Sequence, residues 1–210
     1  MLTLYYRPAY CSMSAHIALQ EAALPHRLIR VDLQTGRTED GQDYRQINDK
    51  AQVPALRLDN GESENEGEIL TESAAVLQYI ADAAPASGLA PPAGTLARYR
   101  LQEWLNFLAT ELHKRGSLLV SPHTPEVMRP LVVTQLHQRL AWLEQRVTGR
   151  THLLGQQFSV ADAHLFFLLH GMLRLMRLDL RAYPTLLHMF DTWRQRPAVQ
   201  AVLRLEQLDT

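Results

Sequence analysis

The 210-residue chain contains one cysteine, Cys11, and two lysines, Lys50 and Lys114. A single cysteine excludes an intramolecular disulfide and is typical of a reducing compartment. The net charge of −1 offers no strong field for nucleic acid, so no such partner is expected. The N-terminus lacks a basic start followed by an apolar stretch, and the richest apolar run, 165–176, is short and interrupted. We therefore expect a cytoplasmic protein with no membrane partner.

The composition is that of a globular chain able to bury a sizeable core, with 46% hydrophobic and 20% charged residues. Charge is divided unevenly, since residues 1–94 have a net charge of −6 and residues 95–210 a net charge of +5. Three prolines and two glycines fall within residues 85–94, where no helix can continue. We therefore predict two domains, 1–84 and 95–210, joined by a linker at 85–94.

The first domain reads as alternating strands and helices, in the order β-α-β-(loop/α)-β-β-α. Strands are predicted at 2–6, 27–33, 55–58 and 68–71, helices at 12–23 and 73–84, and a loop at 34–43. The opening strand-helix-strand permits a parallel pair, whereas Asp59-Asn60-Gly61 predicts an antiparallel hairpin with an acidic tip at 62–68.

The second domain is predicted to be all-helical, because apolar residues recur at helical spacing. Residues 160–176 are apolar nearly all round, which indicates a central buried helix. Two further stripes comprise Leu101, Trp104, Leu105, Leu108 and Leu112, and Val132, Leu136, Leu140, Leu143 and Val147.

Cys11 follows a strand and a proline-containing turn, where a helix begins. Unpaired N–H groups at a helix start favour an anion, so we expect a lowered pKa for the thiol. The alternative is a small buried hydrophobic residue. Ser14 stands where a C-x-x-C motif has its second cysteine, so any disulfide chemistry must use an external thiol.

Two further segments could bind a peptide with charged ends. Val53-Pro54 precedes a strand, and a cis bond there would present the Val53 backbone for pairing with an extended peptide; an ordinary trans turn is the alternative. Glu72-Ser73 opens a helix, where Ser73 suits a carboxylate and Glu72 an ammonium; plain helix capping is the alternative.

A polar stripe follows one helix of the second domain. Asn106, Thr110 and His113 share a face, with Lys114 beside them, and form either a binding surface or a solvated face. Ser159 and Asp162 are predicted to form a structural capping box. No metal-binding histidine spacing, P-loop or G-x-G-x-x-G motif is present, so neither a metal nor a nucleotide cofactor is expected.

Over essentially its whole length the sequence resembles the cytosolic glutathione transferases of the bacterial beta class. The segments that carry the resemblance are Tyr5-Tyr6, Cys11-Ser12, Gln52-Val53-Pro54-Ala55-Leu56, Thr71-Glu72-Ser73, Glu103-Trp104-Leu105-Asn106, Glu111-Leu112-His113-Lys114 and Phe158-Ser159-Val160-Ala161-Asp162-Ala163. Each is modestly specific, but their order and spacing together are strongly so.

The resemblance implies a thioredoxin-like N-terminal domain that binds glutathione, an all-helical C-terminal domain and a homodimer. Glutathione would be a co-substrate, conjugated to small hydrophobic electrophiles in detoxification. Cys11 and His113 would be the catalytic residues, lying at the glutathione sulfur. The other residues implied to bind glutathione are Val53, Pro54 (in a cis peptide), Glu72, Ser73, Asn106, Glu111 and Lys114.

The sequence departs from the family pattern in two places. Relatives usually carry a lysine where this chain has Thr35-Gly36, and only Arg37 remains nearby to contact the glycyl carboxylate. The acidic segment 62–68 is longer than usual. Three functions stay open at this point: a conjugating transferase, a glutathione-dependent disulfide reductase using Cys11, and a non-catalytic protein that keeps the fold for a partner.

Overall fold

The computed structural model describes residues 1–59 and 67–208. Its first strand, helix and second strand are β1 (Leu2–Tyr6), α1 (Ser12–Glu21) and β2 (His26–Asp32), and β1 and β2 pair in parallel. The helix ends two residues before the predicted bound because Ala23 takes a left-handed conformation, with φ 50°. This unit confirms the predicted strand-helix-strand opening.

The sheet is mixed and has the order β3-β2-β1-β4-β5. β4 (Ala55–Asp59) pairs antiparallel with both β1 and β5 (Gly67–Thr71), which confirms the predicted hairpin. Gly67 is required at the start of β5, because a Cβ there would lie 2.5 Å from the carbonyl oxygen of Leu58. Residues 60–66, and with them most of the predicted acidic tip, lie outside the described residues.

The loop predicted at 34–43 needs a correction. It contains a two-residue strand, β3 (Arg37–Thr38), which pairs antiparallel with Val31 and Asp32 of β2. A 3₁₀ turn, Tyr44–Gln46, follows it. The helix α2 (Ser73–Ala83) then closes the first sequence domain, close to its predicted bounds.

Helices account for most of the remaining chain, as predicted. A π-helical segment, Leu108–His113, joins α3 to α4, and α6 is buried along nearly its whole length. The helices are α3 (Leu96–Phe107), α4 (Lys114–Val120), α5 (Arg129–Val147), α6 (Val160–Arg174), α7 (Pro184–Arg194) and α8 (Pro197–Leu205). Within the described residues, none of these helices is long and apolar enough to cross a bilayer.

The chain forms two compact units. One comprises Met1–Ala90 together with the residues from Pro197 on, and the other Pro91–Arg196. The C-terminal helix α8 groups with the sheet-containing unit. Glu206, which follows α8, is buried there: its carboxylate accepts from the Ala9 N–H and lies 3.0 Å from Nδ1 of His16 in α1. The sequence-based division had assigned α8 to the helical domain.

Candidate functional site

Cys11 immediately precedes α1, at the end of a tightly bonded turn. Ser12 Oγ accepts from the Arg7 N–H and donates to the Arg7 carbonyl, both at 3.1 Å. Ser14 Oγ donates to the Cys11 carbonyl at 2.7 Å. Ser14, which stands where a second cysteine would be, is therefore committed to holding the first turn of α1.

The Cys11 thiol donates to the carbonyl oxygen of Val53, with Sγ and O 2.8 Å apart. The Val53–Pro54 peptide is cis, as the resemblance implied. A carbonyl oxygen has a second lone pair, so Val53 can accept from another donor at the same time. Cys11, Val53 and Pro54 thus meet at one point of the sheet-containing unit, although they are 42 residues apart in sequence.

The expected lowering of the Cys11 pKa is wrong. Burial raises the pKa of this thiol to about 11, and the negative charge of Glu72 acts in the same direction. Hydrogen bonding from nearby N–H groups and from the Ser73 hydroxyl favours the thiolate, but by less. The cause is packing, because Cys11 lies against a cluster that includes Tyr5, Tyr44 and Val53.

Glu72 and Ser73 stand where β5 passes into α2. Glu72 has φ 69° and ψ 118°, a conformation that L residues rarely adopt, and its carboxylate is turned to Lys50. Lys50 Nζ lies 2.5 Å from Glu72 Oε1 and donates to Thr71 Oγ1 at 2.8 Å. Ser73 lies close enough to Cys11 to affect its pKa, so Glu72, Ser73, Cys11 and Val53 form one site.

Lys50 is the residue of this site that the sequence analysis missed. Its loop is fixed at the Gln52 carbonyl, which accepts from Tyr44 OH at 2.8 Å and from Asn48 Nδ2 at 2.7 Å. Between Lys50 and Gln52, Ala51 takes a left-handed conformation with φ 52°. The scarcity of lysine and the position just before Val53-Pro54 were the signals that could have pointed to it.

A cleft of about 510 Å³ opens beside β2 and β3. Three arginines line it, Arg7, Arg30 and Arg37, together with Thr35 and the acidic residues Asp32 and Glu39. Arg37 Nη1 donates to the Gly41 carbonyl at 2.8 Å. The cleft therefore offers basic groups beside Thr35, where the family pattern has a lysine.

The other expected site residues belong to the helical unit. Asn106 and Lys114 are exposed, on α3 and α4, and His113 is half-buried at the end of the π-helical segment. Glu111 is held by Arg139 at 2.6 Å and by Arg115 at 3.1 Å, and these bonds lower the pKa of its carboxyl. Glu111 thus takes part in an ion-pair cluster that joins α4, α5 and the π-helical segment.

His113 contacts two rings of α6 edge-on. Its ring centroid lies 5.4 Å from that of Phe167 and 5.9 Å from that of the buried His164. Burial, and then the charge of Lys114, lower the pKa of His113. Both effects favour the neutral imidazole form of His113.

The capping box at the start of α6 is confirmed as a structural element. Asp162 accepts from the Ser159 N–H at 2.8 Å and from the Ser159 hydroxyl at 2.7 Å. Its other oxygen accepts from the Leu153 N–H at 2.7 Å. Burial nevertheless raises the pKa of this carboxyl to about 6.

The sequence matches one known protein family in both of its halves. Residues 10–83 match the family described as glutathione S-transferase, N-terminal domain, and residues 100–205 match the corresponding C-terminal domain. The chain belongs to the glutathione S-transferase family. Glutathione S-transferase GstA of Escherichia coli O157:H7 is 38% identical, covering 99% of this chain and 100% of that relative.

Solved structures agree with this assignment. A sphingomonad glutathione S-transferase complexed with glutathione is 41% identical, with a TM-score of 0.91 over 98% of this chain and 99% of that one. A beta-class enzyme of Sphingomonas chungbukensis is 39% identical, with the same TM-score and coverage. The resemblance to the bacterial beta class is therefore confirmed. Disulfide-bond oxidoreductase YfcG of Escherichia coli K12 is more distant, 29% identical over 98% of this chain and 96% of its own length.

Proposed function

We propose that this protein is a glutathione transferase that uses glutathione as a co-substrate and conjugates it to small hydrophobic electrophiles. One observation carries the proposal: the Cys11 thiol lies on the Val53 carbonyl, beside the helix start at Ser73. This arrangement combines an extended-peptide acceptor with groups for a charged peptide end, in a chain of the glutathione S-transferase family.

Glutathione would lie along this site with its cysteinyl backbone paired to Val53, next to Pro54. Its γ-glutamyl end would reach Glu72, for the ammonium, and Ser73, for the carboxylate. The glycyl carboxylate would enter the arginine-lined cleft beside β2, where Arg37 would replace the lysine usual in the family.

In conjugation, the thiol of glutathione loses its proton, and its sulfur attacks the electrophilic carbon. A C–S bond forms while the leaving group departs with its electron pair. A protonated Cys11 suits this step, because its S–H, which donates to the Val53 carbonyl in the free protein, would turn to the glutathione thiolate and stabilise it. We assign His113 as the neutral base that receives the proton, and Asn106, Glu111 and Lys114 as further glutathione-binding residues.

Disulfide reduction is the second candidate, and the relationship to YfcG favours it. Here the Cys11 thiolate would attack a glutathione-containing disulfide, forming a mixed disulfide as the other sulfur leaves as a thiolate. An external thiol would then release Cys11, since the chain has no second cysteine. The raised pKa of Cys11 makes this reaction slow at neutral pH.

The Cys11→Ala variant separates the two activities. We expect it to abolish disulfide reduction and to slow conjugation less than about tenfold, the effect of one lost thiol hydrogen bond to the thiolate. Loss of conjugation with intact disulfide reduction would show that the roles are reversed. Equal loss of both would make Cys11 a shared binding contact.

We further propose a homodimer, located in the cytoplasm, in which residues 1–84 bind glutathione and residues 95–210 face the electrophile. Leu96 and Tyr99 of α3 are 72% and 59% exposed, and these apolar side chains suit burial against a second copy. Sedimentation should give twice the chain mass of 23.9 kDa at micromolar concentration. A single-chain mass throughout that range would contradict the dimer.

A further inference from the structure

The ion pair between Lys50 and Glu72 has no evident role in stability. Their side chains are 44% and 71% exposed, and exposed ion pairs contribute little to the free energy of folding. The loop that carries Lys50 is nevertheless fixed, because Tyr44 and Asn48 both donate to the Gln52 carbonyl. A fixed loop that presents a charge of little value for stability suggests that this charge binds a ligand.

Each member of this pair lies at or next to a residue with a strained backbone conformation. Ala51, next to Lys50, has φ 52°, and Glu72 itself has φ 69°. Non-glycine residues are held in such conformations where the surrounding structure imposes them, and functional sites are where they concentrate. Here the two strained residues bring one cation and one anion side by side at the start of α2.

The geometry points to Lys50 as a specificity-determining residue, which joins Ser73 in holding the α-carboxylate of an amino-acid terminus while Glu72 takes the adjacent α-ammonium. This inference rests on the proposed function and names which end of glutathione the pair would select. An α-carboxylate and an α-ammonium are attached to the same carbon, so a site that reads both needs opposite charges close together. Lys50 Nζ and Glu72 Oε1 are 2.5 Å apart.

Binding would exchange one ion pair for two. The zwitterionic terminus is neutral overall, as is the Lys50–Glu72 pair, so no net charge is brought to the site. Thr71 Oγ1, which accepts from Lys50 at 2.8 Å, keeps the ammonium of Lys50 anchored during the exchange. A terminus with only one of the two charges would leave one member of the protein pair without its new partner.

Calorimetry with two ligands tests the assignment. The ligands are glutathione and 4-aminobutanoyl-cysteinylglycine, which keeps the terminal ammonium but lacks the α-carboxylate. We expect Lys50→Met to weaken glutathione binding about tenfold, the typical effect of one charged hydrogen bond, and to leave the binding of the analogue unchanged or stronger, because the analogue has no carboxylate for Lys50. Lys50→Arg should restore most of the affinity for glutathione.

A matched control is Arg100→Met, which removes the cation of another exposed pair, Arg100–Glu103 at 2.8 Å. It should leave the affinity for both ligands unchanged. Equal weakening of both ligands in Lys50→Met would overturn the assignment, because Lys50 would then act only by orienting Glu72. Unchanged binding of both would overturn it as well. If the wild-type chain binds neither glutathione nor the analogue, the proposed function is overturned too.

Discussion

The protonation state of Cys11 can be measured directly, because it is the only cysteine in the chain and every thiol signal belongs to it. Burial raises its pKa from an ordinary value of 9.0 to about 11. At pH 8 this leaves about 0.1% thiolate, against about 10% for the ordinary thiol, since each pKa unit is a tenfold change. Because only the thiolate reacts, alkylation of the folded protein should be about a hundredfold slower than that of an exposed cysteine.

The assay is the rate of iodoacetamide alkylation between pH 7 and pH 11, in the folded protein and in the protein unfolded by guanidinium. The unfolded chain should reach half its maximal rate near pH 9 and level off above about pH 10, whereas the folded protein should still be gaining rate at pH 11. The shape of the profile separates protonation from simple obstruction, which would lower the rate equally at every pH.

Ser73→Ala should shift the pKa of Cys11 in a direction that the structure fixes. The Ser73 hydroxyl favours the thiolate, so its removal should raise the pKa of Cys11 further and slow alkylation at pH 8. A folded-state profile that levels off below pH 8 would refute the reasoning. It would mean that the helix start stabilises the thiolate more than burial destabilises it, and disulfide exchange would then become the favoured activity.

Three other variants test separate parts of the structure. Glu206→Ala should lower the free energy of unfolding by about 3–5 kcal/mol in urea, because it leaves His16 and a backbone N–H buried without their partner, whereas the exposed Glu103→Ala should change it by less than about 0.5 kcal/mol. Asp162 has a raised pKa of about 6, so folding retains its proton, and stability should fall as pH rises from about 4 to 6; Asp162→Asn should lack that decline in urea titrations at each pH. Arg37→Ala should raise KM for glutathione about tenfold with little change in kcat, and an unchanged KM would remove the arginine-lined cleft from the glutathione site.

Local patterns predicted the fold well. β1 matches its predicted bounds, 2–6, and the turn signal after β4 was sufficient to predict the hairpin. The two-residue strand β3 was missed, because Arg37 and Thr38 are too few to show alternation and are held by pairing with β2. The contact of the chain end with α1 has no local signal either, since Glu206 meets His16, a residue 190 positions earlier.

The candidate site was predicted only in part. Cys11 was correctly expected at a helix start, but its pKa was not, because desolvation depends on Tyr5, Tyr44 and Val53 packing around it. Lys50 was missed because its partner Glu72 is 22 residues away and faces it only after the hairpin has formed. Charge at a helix start can be read from sequence, whereas burial and ion pairing between distant segments require the folded chain.

The rate of thioether formation between glutathione and 1-chloro-2,4-dinitrobenzene tests the central claim most directly. For the wild-type protein at neutral pH, we predict a rate above the uncatalysed reaction that is proportional to protein concentration and saturates with glutathione. The result that would contradict this account is a rate no higher than that of the uncatalysed reaction at every glutathione concentration up to the millimolar range.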